Sequence, residues 1–337
     1  MPQVTVLMPA YNVEKYIAEA IDSILQQSFK DFVLLVMDDC STDGTASIVA
    51  SYSDLRVRYE KNSTNLGLSD NLNKGFGLAD TKYIARMDGD DIAHPQWLEC
   101  NIDYLEAHPD IDLCGSCFQY FGTKSSEVFF PQQHDDIMAN MLFGCSIIVP
   151  VFRKEALQRH GLLVRSECFP AEDYRFWAEW IRVGKMHNIQ KKLFRYRMHE
   201  SQICSSKVEI QKKKANEVRL FMLEWLNPNM NEEDRQYFID GFTCYEDLSD
   251  EKLQRMEFFA LLLRAKNKEI GHFSDESLER RFKSHLLHAA YTMVHDTFFH
   301  AGFNMEAYRM FRKSIAKHYL PFKYHLKLLV KSIMQYS

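Results

Sequence analysis

The sequence lacks any apolar run of the length that a membrane span needs. Every apolar stretch is interrupted well before about 18 residues, so no spanning helix is predicted. The first residues carry no basic segment followed by a long apolar one, so no signal peptide is predicted. The net charge of -5 gives no general basic character, and nucleic acid is not an expected partner. We expect a cytoplasmic protein, or one peripheral on the inner face of the cytoplasmic membrane.

The eight cysteines are scattered and show no spacing typical of a disulfide framework. This usage suits a reducing compartment. Cys114 and Cys117 form a lone C-x-x-C inside an apolar run. A zinc site would need a second pair of ligands, so two small buried residues are favoured over a zinc or redox site.

Acidic residues are missing from the last part of the chain. From residue 307 to the end there are seven Lys or Arg and no Asp or Glu. Within it, Lys323, Lys327 and Lys331 are spaced at intervals of four in an apolar segment. That segment is either an interfacial helix on anionic headgroups or an ordinary amphipathic helix packed on the protein's own core. The apolar residues that would enter a lipid boundary are Leu320, Phe322, Leu326, Leu329, Val330 and Ile333.

The first hundred residues alternate between strand and helix patterns. Short apolar runs that predict strands, separated by helical spacing, are Val4–Met8, Phe32–Met37, Val57–Tyr59 and Tyr83–Met87. Such alternation predicts an α/β fold, with a mostly parallel sheet covered by helices on both faces. Ligands bind such sheets beyond the carboxyl ends of the strands. Polar clusters lie at those ends, at Asn12, Asp39 and 88–91.

The later chain changes character near Ser205. Residues 113–197 mix helix patterns with predicted strands at Leu113–Phe118, Ser146–Val149 and Leu193–Arg197. Long amphipathic helices are predicted afterwards, among them Ser277–Phe299 and Glu306–His318. We therefore predict an α/β domain at 1–204, a helical region at 205–318 and a basic amphipathic tail at 319–337. The helical region would shape a substrate site or form a homo-oligomer contact.

An acidic turn, Asp88-Gly89-Asp90-Asp91, follows the fourth predicted strand. Carboxylates crowded together repel one another unless a cation lies between them. Mg²⁺ or Mn²⁺ suits carboxylate oxygens and also takes phosphate oxygens. Alone the turn is weak evidence for a metal, because surface loops often contain such strings.

Six motifs in order over roughly residues 1–204 together resemble the family 2 inverting glycosyltransferases, of the bacterial surface-polysaccharide type. This resemblance implies the GT-A fold, a Rossmann-like nucleotide-binding fold. At Cys40 the family usually has Gly, Ser or Asn, so a small residue is kept. The six matching stretches are Met8–Asn12, Val36–Thr45, Asn65–Ser69, Tyr83–Asp91, Ala171–Trp177 and Tyr196–Ser201.

The resemblance implies a nucleotide-sugar donor site at the strand ends. Asp39 would accept a hydrogen bond from a pyrimidine ring, which favours UDP-sugars. Pro9–Tyr11 would line the base and ribose pocket, and Asp88 would contact ribose or metal-bound water. The predicted donor-binding residues are Pro9, Ala10, Tyr11, Asn12, Asp39, Asn65, Arg86 and Asp88.

The resemblance also implies a metal and a base. Asp90 would be the main protein ligand of Mn²⁺ or Mg²⁺, and His199 would reach the metal or diphosphate; alone, His199 would be read as a solvated loop histidine. Asp173 resembles the base that takes a proton from the acceptor hydroxyl, although Glu172 and Asp173 could simply begin a helix. Trp177 is predicted to pack in the core. The secondary site candidates are Asp91, Glu172 and Arg197.

These residues predict a metal-dependent enzyme that transfers a single sugar from a UDP-sugar to an acceptor hydroxyl. The expected acceptor is a lipid-linked saccharide in O-antigen, capsule or lipopolysaccharide synthesis. A sugar-nucleotide nucleotidyltransferase would usually have a Gly-rich basic loop at Pro9–Asn12. A non-catalytic binding protein would not need Asp39, Asp90, Asp173 and His199 together. A processive synthase would carry Gln-x-x-Arg-Trp and membrane helices, neither of which occurs in the sequence.

Overall fold

The computed structural model describes residues 2–199 and 207–334. The chain divides into two compact units, and the division follows Val218. That position lies inside a helix, Val208–Leu226. The boundary predicted near Ser205 lies outside the described residues, so the predicted domain limits stay a prediction.

A nine-stranded mixed sheet lies at the centre of the first unit. The order across the sheet is β3-β2-β1-β4-β8-β6-β9-β5, and β7 pairs with β6. The strands are β1 (Val4–Ala10), β2 (Phe32–Asp38), β3 (Val57–Lys61), β4 (Tyr83–Arg86), β5 (Ile92–Ala93), β6 (Leu113–Gly122), β7 (Ser126–Val128), β8 (Val151–Arg153) and β9 (Met186–Met198).

Strands β1 to β4 form the parallel half of this sheet. Val6 lies opposite Leu34 of β2 and Ala85 of β4, in parallel register on both sides. Every residue of β1 is buried, as expected for a strand covered by helices on both faces. Parallel strands end at the same edge, so the polar clusters after β1, β2 and β4 share one edge. The predicted α/β fold class is confirmed.

The helices of the first unit follow the predicted alternation. Helix α1 buries Ile17, Ile21 and Ile24 completely, at the spacing of one helical face. The helices are α1 (Ile17–Leu25), α2 (Thr45–Ala50), α3 (Leu68–Leu78), α4 (Trp97–Ala107), α5 (His134–Met141), α6 (Lys154–Arg159) and α7 (Glu172–Trp180), and the chain division falls inside the next helix, α8 (Val208–Leu226). Trp177 is 3% exposed and contacts the Phe152 and Trp180 rings, so its predicted core role is confirmed.

The predicted strand Ser146–Val149 is wrong. The strand of this region is β8, which begins two residues later at Val151. Ile147 and Val149 are only 2% and 1% exposed, so the apolar run supplies core contacts without pairing. Val149 has a φ of +44°, which no extended strand adopts. Apolar pattern alone does not separate a buried loop from a strand.

The second unit is built from helices, four of which begin after a side chain that caps the helix N-terminus. Asn231, Ser249, Ser274 and Asn304 each precede a helix and accept a hydrogen bond from a backbone N–H in its first turn, which satisfies a donor the helix leaves open. The helices are α9 (Glu232–Thr243), α10 (Asp250–Ile270), α11 (Asp275–Met293), α12 (Met305–Lys313), α13 (Ala316–Tyr319) and α14 (Phe322–Met334). None of the described helices is long and apolar enough to cross a bilayer.

Two predicted helices of this unit are shorter than expected. The pattern Ser277–Phe299 ends as an α-helix at Met293 and continues as a π-turn, Val294–Phe298. The pattern Glu306–His318 divides into α12 and α13. The core is aromatic, with Phe238, Phe242, Phe282 and Phe311 at most 2% exposed. The helical patterns therefore form a core, as predicted.

Candidate active site

The loops that leave β1 and β2 are joined by hydrogen bonds. The Asn12 N–H donates to Ser41 Oγ at 3.0 Å, and Asn12 Oδ1 accepts from the Thr42 N–H at 2.9 Å. Asn12 has a φ of +54°, a conformation that Asn tolerates better than most residues. Pro9 is buried, whereas Tyr11 is 50% exposed. Asn12 therefore fixes the loop geometry, and Tyr11 is accessible at the strand end.

The Asp39 carboxylate organises the exit of β2. Its Oδ1 accepts from Asn62 Nδ2 and the Leu66 N–H, both at 2.8 Å, and its Oδ2 accepts from the Gly67 N–H at 2.8 Å. Asn65 Nδ2 donates to the Asp39 carbonyl at 3.2 Å. Each carboxylate oxygen can accept about two hydrogen bonds. Among contacts within the described residues, Oδ2 thus retains one acceptor position, which a pyrimidine N–H could use.

Cys40 lies in the left-handed region with a φ of +65°. This conformation costs a residue with a Cβ about 1–2 kcal/mol, and glycine adopts it freely. Replacing Cys40 by Gly will therefore raise the free energy of unfolding by about 0.5–1 kcal/mol, after the greater chain entropy of glycine is subtracted. Denaturant midpoints measure the change. Cys40→Ala, which keeps the strain, is the control, and equal stability of the two variants would contradict the argument.

The acidic turn lies against the exit of β1. Arg86 Nη2 pairs with Asp88 Oδ1 at 2.9 Å, and Arg86 is 8% exposed. A Cβ on Gly89 would lie 3.4 Å from the Pro9 carbonyl oxygen, so the absence of a side chain allows this close approach. Burial, with smaller contributions from the charges of Asp90 and Asp173, raises the pKa of Asp88 to about 6 against the lowering effect of Arg86. A bound cation would relieve this repulsion.

The end of β9 closes over the acidic turn. The Arg197 N–H donates to Asp91 Oδ1 at 2.7 Å, and Arg197 Nε donates to the Asp90 carbonyl at 2.7 Å. His199 Nε2 lies 3.1 Å from Asp90 Oδ2. Asp91 is 1% exposed, and burial raises its pKa well above the ordinary value. Asp91 and Arg197 thus link the turn to β9, and His199 faces the Asp90 carboxylate.

Sequence analysis missed two residues around α1 that support this closure. The Tyr16 ring lies 4.6 Å from the His199 ring, and the Arg197 guanidinium lies 4.9 Å from the centroid of the Tyr16 ring. Glu19 pairs with Arg197 Nη2 at 2.5 Å. Nothing in the local sequence indicates these roles. They follow from the sheet topology, which brings the start of α1 and the end of β9 to the same edge.

The Asp90–His199 pair fits a divalent cation. Asp90 Oδ2 and His199 Nε2 are hydrogen-bonded to each other at 3.1 Å. Neighbouring ligands of octahedral Mg²⁺, each about 2.1 Å from the ion, lie about 3 Å apart, so an ion could replace the shared proton with little movement of the two side chains. Within residues 2–199 and 207–334, no group of three or more His, Cys, Asp or Glu side chains could hold a metal. Two protein ligands suit an ion that takes its other ligands from phosphate and water.

The start of α7 lies on the same side of the sheet as the acidic turn. The charge of Asp173 contributes to the pKa values of Asp88 and Arg86, so these groups are near neighbours. Asp173 is partly exposed, and its Oδ1 accepts from the Tyr174 N–H at 2.6 Å. The structure thus brings the candidate base together with the candidate metal site. Because α7 does begin at Glu172, a helix-start role for both acids remains an alternative.

The burial of the Glu172 carboxyl lowers the stability of the folded protein. It is 6% exposed, and its Oε2 finds no hydrogen-bond partner among the described residues. Burial, with the charge of Asp173, raises the pKa of Glu172 from 4.5 to about 7. When the pKa of a carboxyl is higher in the folded state, the protein loses stability as the pH rises from the pKa in the unfolded state to the pKa in the folded state. The protein therefore loses stability from this group between about pH 4.5 and 7.

Replacing Glu172 by Gln will remove that loss. We expect the variant to be more stable than the parent by about 1–3 kcal/mol at pH 8, with the difference vanishing below about pH 4. Urea unfolding across this pH range measures it. Glu155→Gln, at an exposed first-turn acid of α6, is the matched control and should change nothing. A pH-independent difference for Glu172→Gln would contradict the burial argument.

The candidate residues form two clusters on one edge. Asp39 and Asn65 lie at the exit of β2, whereas Arg86, Asp88 and Asp90 follow β4. Strand β1 lies between them, and adjacent strands are about 4.8 Å apart, so the strands that end at the two clusters are about 10 Å apart. A ligand that contacts both clusters has to extend across β1.

Comparison with known proteins shows which proteins this chain is similar to. The family model described as Glycosyl transferase family 2 matches residues 5–143. An uncharacterized glycosyltransferase of Haemophilus influenzae is 35% identical over 233 residues, which cover 65% of this chain and 72% of the relative. The putative teichuronic acid biosynthesis glycosyltransferase TuaG of Bacillus subtilis is 28% identical over 220 residues, covering 63% of this chain and 85% of TuaG.

A solved structure shares the fold. The crystal structure of S. aureus TarS 1-349 in complex with UDP-GlcNAc aligns with a TM-score of 0.58 at 20% identity, covering 79% of this chain and 83% of that chain. At this identity the likeness shows the fold alone. The sheet with its C-terminal helical region is thus the architecture of a GT-A protein.

Proposed function

Since the chain belongs to glycosyl transferase family 2, we propose that it transfers a single sugar from a UDP-sugar to an acceptor hydroxyl, with inversion at the anomeric carbon. The observation that carries this proposal is the pairing of Asp90 and His199 at 3.1 Å on the edge that also holds Asp88 and Asp173. The UDP-GlcNAc bound by TarS and the remaining acceptor position on Asp39 support a UDP-linked donor.

Each residue would have a distinct task. Asp39 accepts a hydrogen bond from the pyrimidine, and Asp90 with His199 holds Mn²⁺ or Mg²⁺. The bound metal supplies positive charge to the leaving diphosphate. Asp173 takes the proton of the acceptor hydroxyl, which makes the oxygen nucleophilic as it approaches opposite the leaving group. Arg86, paired with Asp88, holds the Asp88 carboxylate in place.

The proposed acceptor is a saccharide of a surface polysaccharide, carried on a lipid during synthesis. The printed name of TuaG, which places that relative in teichuronic acid biosynthesis, supports this class. Acceptor choice depends on the shape of the pocket rather than on the fold. The roles predicted for residues 205–318, in an acceptor site or in a homo-oligomer contact, stay predictions.

Thermal stabilisation and product analysis test the proposal. A panel of UDP- and GDP-sugars is screened with Mn²⁺, Mg²⁺ or chelator, because a bound ligand raises apparent stability by mass action. We expect one UDP-sugar to stabilise the protein in a metal-dependent manner, and the same sugar to yield UDP with a saccharide acceptor. Release of pyrophosphate would indicate a nucleotidyltransferase. Stabilisation without any turnover would indicate a binding protein.

A further inference from the structure

Helix α14 exposes a row of large apolar side chains. Phe322 is 80% exposed, Leu326 is 52%, Val330 is 46% and Ile333 is 63%. Single exposed apolar residues are ordinary on protein surfaces, but a contiguous row is not. The row therefore indicates a surface that is covered by something other than water.

The lysines of α14 run beside this apolar row. With about 100° between successive residues of a helix, Phe322, Ile333, Leu326 and Val330 fall within an arc of about 80°. Lys323, Lys327 and Lys331 fall within the next arc of about 80°. We call these seven residues the α14 face.

The other side of α14 packs on its own unit. Leu328 and Ser332 are 1% and 0% exposed. The Tyr324 ring lies 4.6 Å from the Tyr291 ring, and the His325 ring lies 5.2 Å from the Phe311 ring. Packing on the core thus explains one side of the helix and leaves the α14 face unexplained. Leu320, which the sequence placed in the lipid-facing set, is 6% exposed and packs inside.

The charge around α14 is positive and uncompensated. No Asp or Glu occurs from residue 307 to the end of the chain, against seven Lys or Arg. In the described part of the chain, none of the three lysines pairs with a carboxylate; Lys331 lies over the Phe303 ring at 4.4 Å. Helix α12, which contacts α14 through Phe311, adds three basic residues, Arg309, Arg312 and Lys313, against one acid, Glu306, so positive charge is in excess. A partner for this surface has to be negatively charged.

We propose that the α14 face binds the surface of an anionic lipid bilayer. Apolar side chains of an interfacial helix enter the boundary of the acyl chains, while adjacent lysines reach the headgroup phosphates. A helix of 13 residues is too short to span a bilayer but can lie along it. A second copy of the chain suits the face less well, because in an antiparallel two-fold contact the two lysine rows would lie on the same side and repel each other.

Vesicle cosedimentation of the full chain tests the proposal. We expect binding to vesicles of phosphatidylcholine with phosphatidylglycerol and little binding to phosphatidylcholine alone, with affinity falling as salt is raised. Lys323→Glu with Lys327→Glu should lower the partition coefficient about ten-fold or more. Leu326→Ser with Ile333→Ser should lower it by a similar factor, about ten-fold. All four residues are exposed, and unchanged melting temperatures would show that the variants fold.

The matched control carries the same change of charge elsewhere. Lys30→Glu with Lys191→Glu alters two exposed lysines of the first unit and should leave vesicle binding unchanged if the α14 face is responsible. Three results would overturn the proposal. They are no binding to anionic vesicles, equal loss in the control and the α14 variants, and a dimer in solution that Leu326→Ser with Ile333→Ser dissociates without any vesicle binding. The assay requires no sugar transfer, so its outcome is independent of the proposed reaction.

Discussion

Replacing Asp173 by Asn will nearly abolish sugar transfer while leaving donor affinity unchanged. Asn cannot take the proton of the acceptor hydroxyl, and loss of a general base lowers the rate by about 10²–10⁴-fold. Asn keeps the size of Asp and can still accept from the Tyr174 N–H, which Asp173 Oδ1 does at 2.6 Å. The turnover number is measured by UDP release, and donor affinity by titration of the UDP-sugar in the presence of Mn²⁺.

A matched variant separates catalysis from a helix-start role. Asp135 lies in the first turn of α5 and is exposed, and His134 of that turn accepts from Met186 at the start of β9, so Asp135→Asn removes a comparable helix-start acid at the edge opposite the candidate site. If Asp173 served only to begin α7, both variants would lose a few tenths of a kcal/mol of stability and neither would lose turnover. A fall in donor affinity of Asp173→Asn equal to its fall in turnover would contradict the assignment of a base.

The strand ends of the candidate site could be predicted from sequence, because the first four strands are short apolar runs in a parallel sheet. Almost every residue of β1, β2 and β4 is buried, so pattern and structure agree there, whereas the edge strand β3 is partly exposed. Once the strands are known to be parallel, Asn12, Asp39 and the acidic turn have to share an edge. The strained conformations at Asn12 and Cys40 could not be predicted this way, since they depend on hydrogen bonds between two loops.

The closure of the site by β9 could not be predicted from local pattern. His199 and Arg197 lie more than a hundred residues after the Asp90 that they contact. Physical reasoning alone favoured a solvated loop for His199, and only the family resemblance placed it near the metal. The failure at Ser146–Val149 has the same origin. An apolar residue indicates that its side chain is buried, but it does not indicate whether its backbone pairs with a neighbouring strand.

Glu172 shows how function can oppose stability. Its Oε2 has no partner among the described residues, and burial beside Asp173 raises its pKa to about 7. A glutamine at this position would stabilise the fold at neutral pH, yet the chain keeps an acid next to the candidate base. Such unfavourable groups are typical of active sites. The burial of Glu172 therefore supports the proposal that the start of α7 belongs to the active site.

Replacing Asp90 by Ala will remove the metal dependence of donor binding. The variant loses the carboxylate that faces His199 Nε2 at 3.1 Å, so one imidazole remains to hold the ion. We expect the affinity for the UDP-sugar in Mn²⁺ to fall at least about ten-fold, to the value that the parent shows in chelator. Calorimetric titration with and without Mn²⁺ measures both.

The neighbouring acid provides the control for this loss. Asp91 is buried and accepts from the Arg197 N–H at 2.7 Å, a bond that an Asn oxygen can also accept. Because burial raises the pKa of Asp91 well above its ordinary value, a neutral side chain suits that position. Asp91→Asn should therefore keep the fold and the metal-dependent affinity. If Asp90→Ala kept its response to Mn²⁺, or Asp91→Asn lost it, the ion would not be held as the 3.1 Å pair indicates.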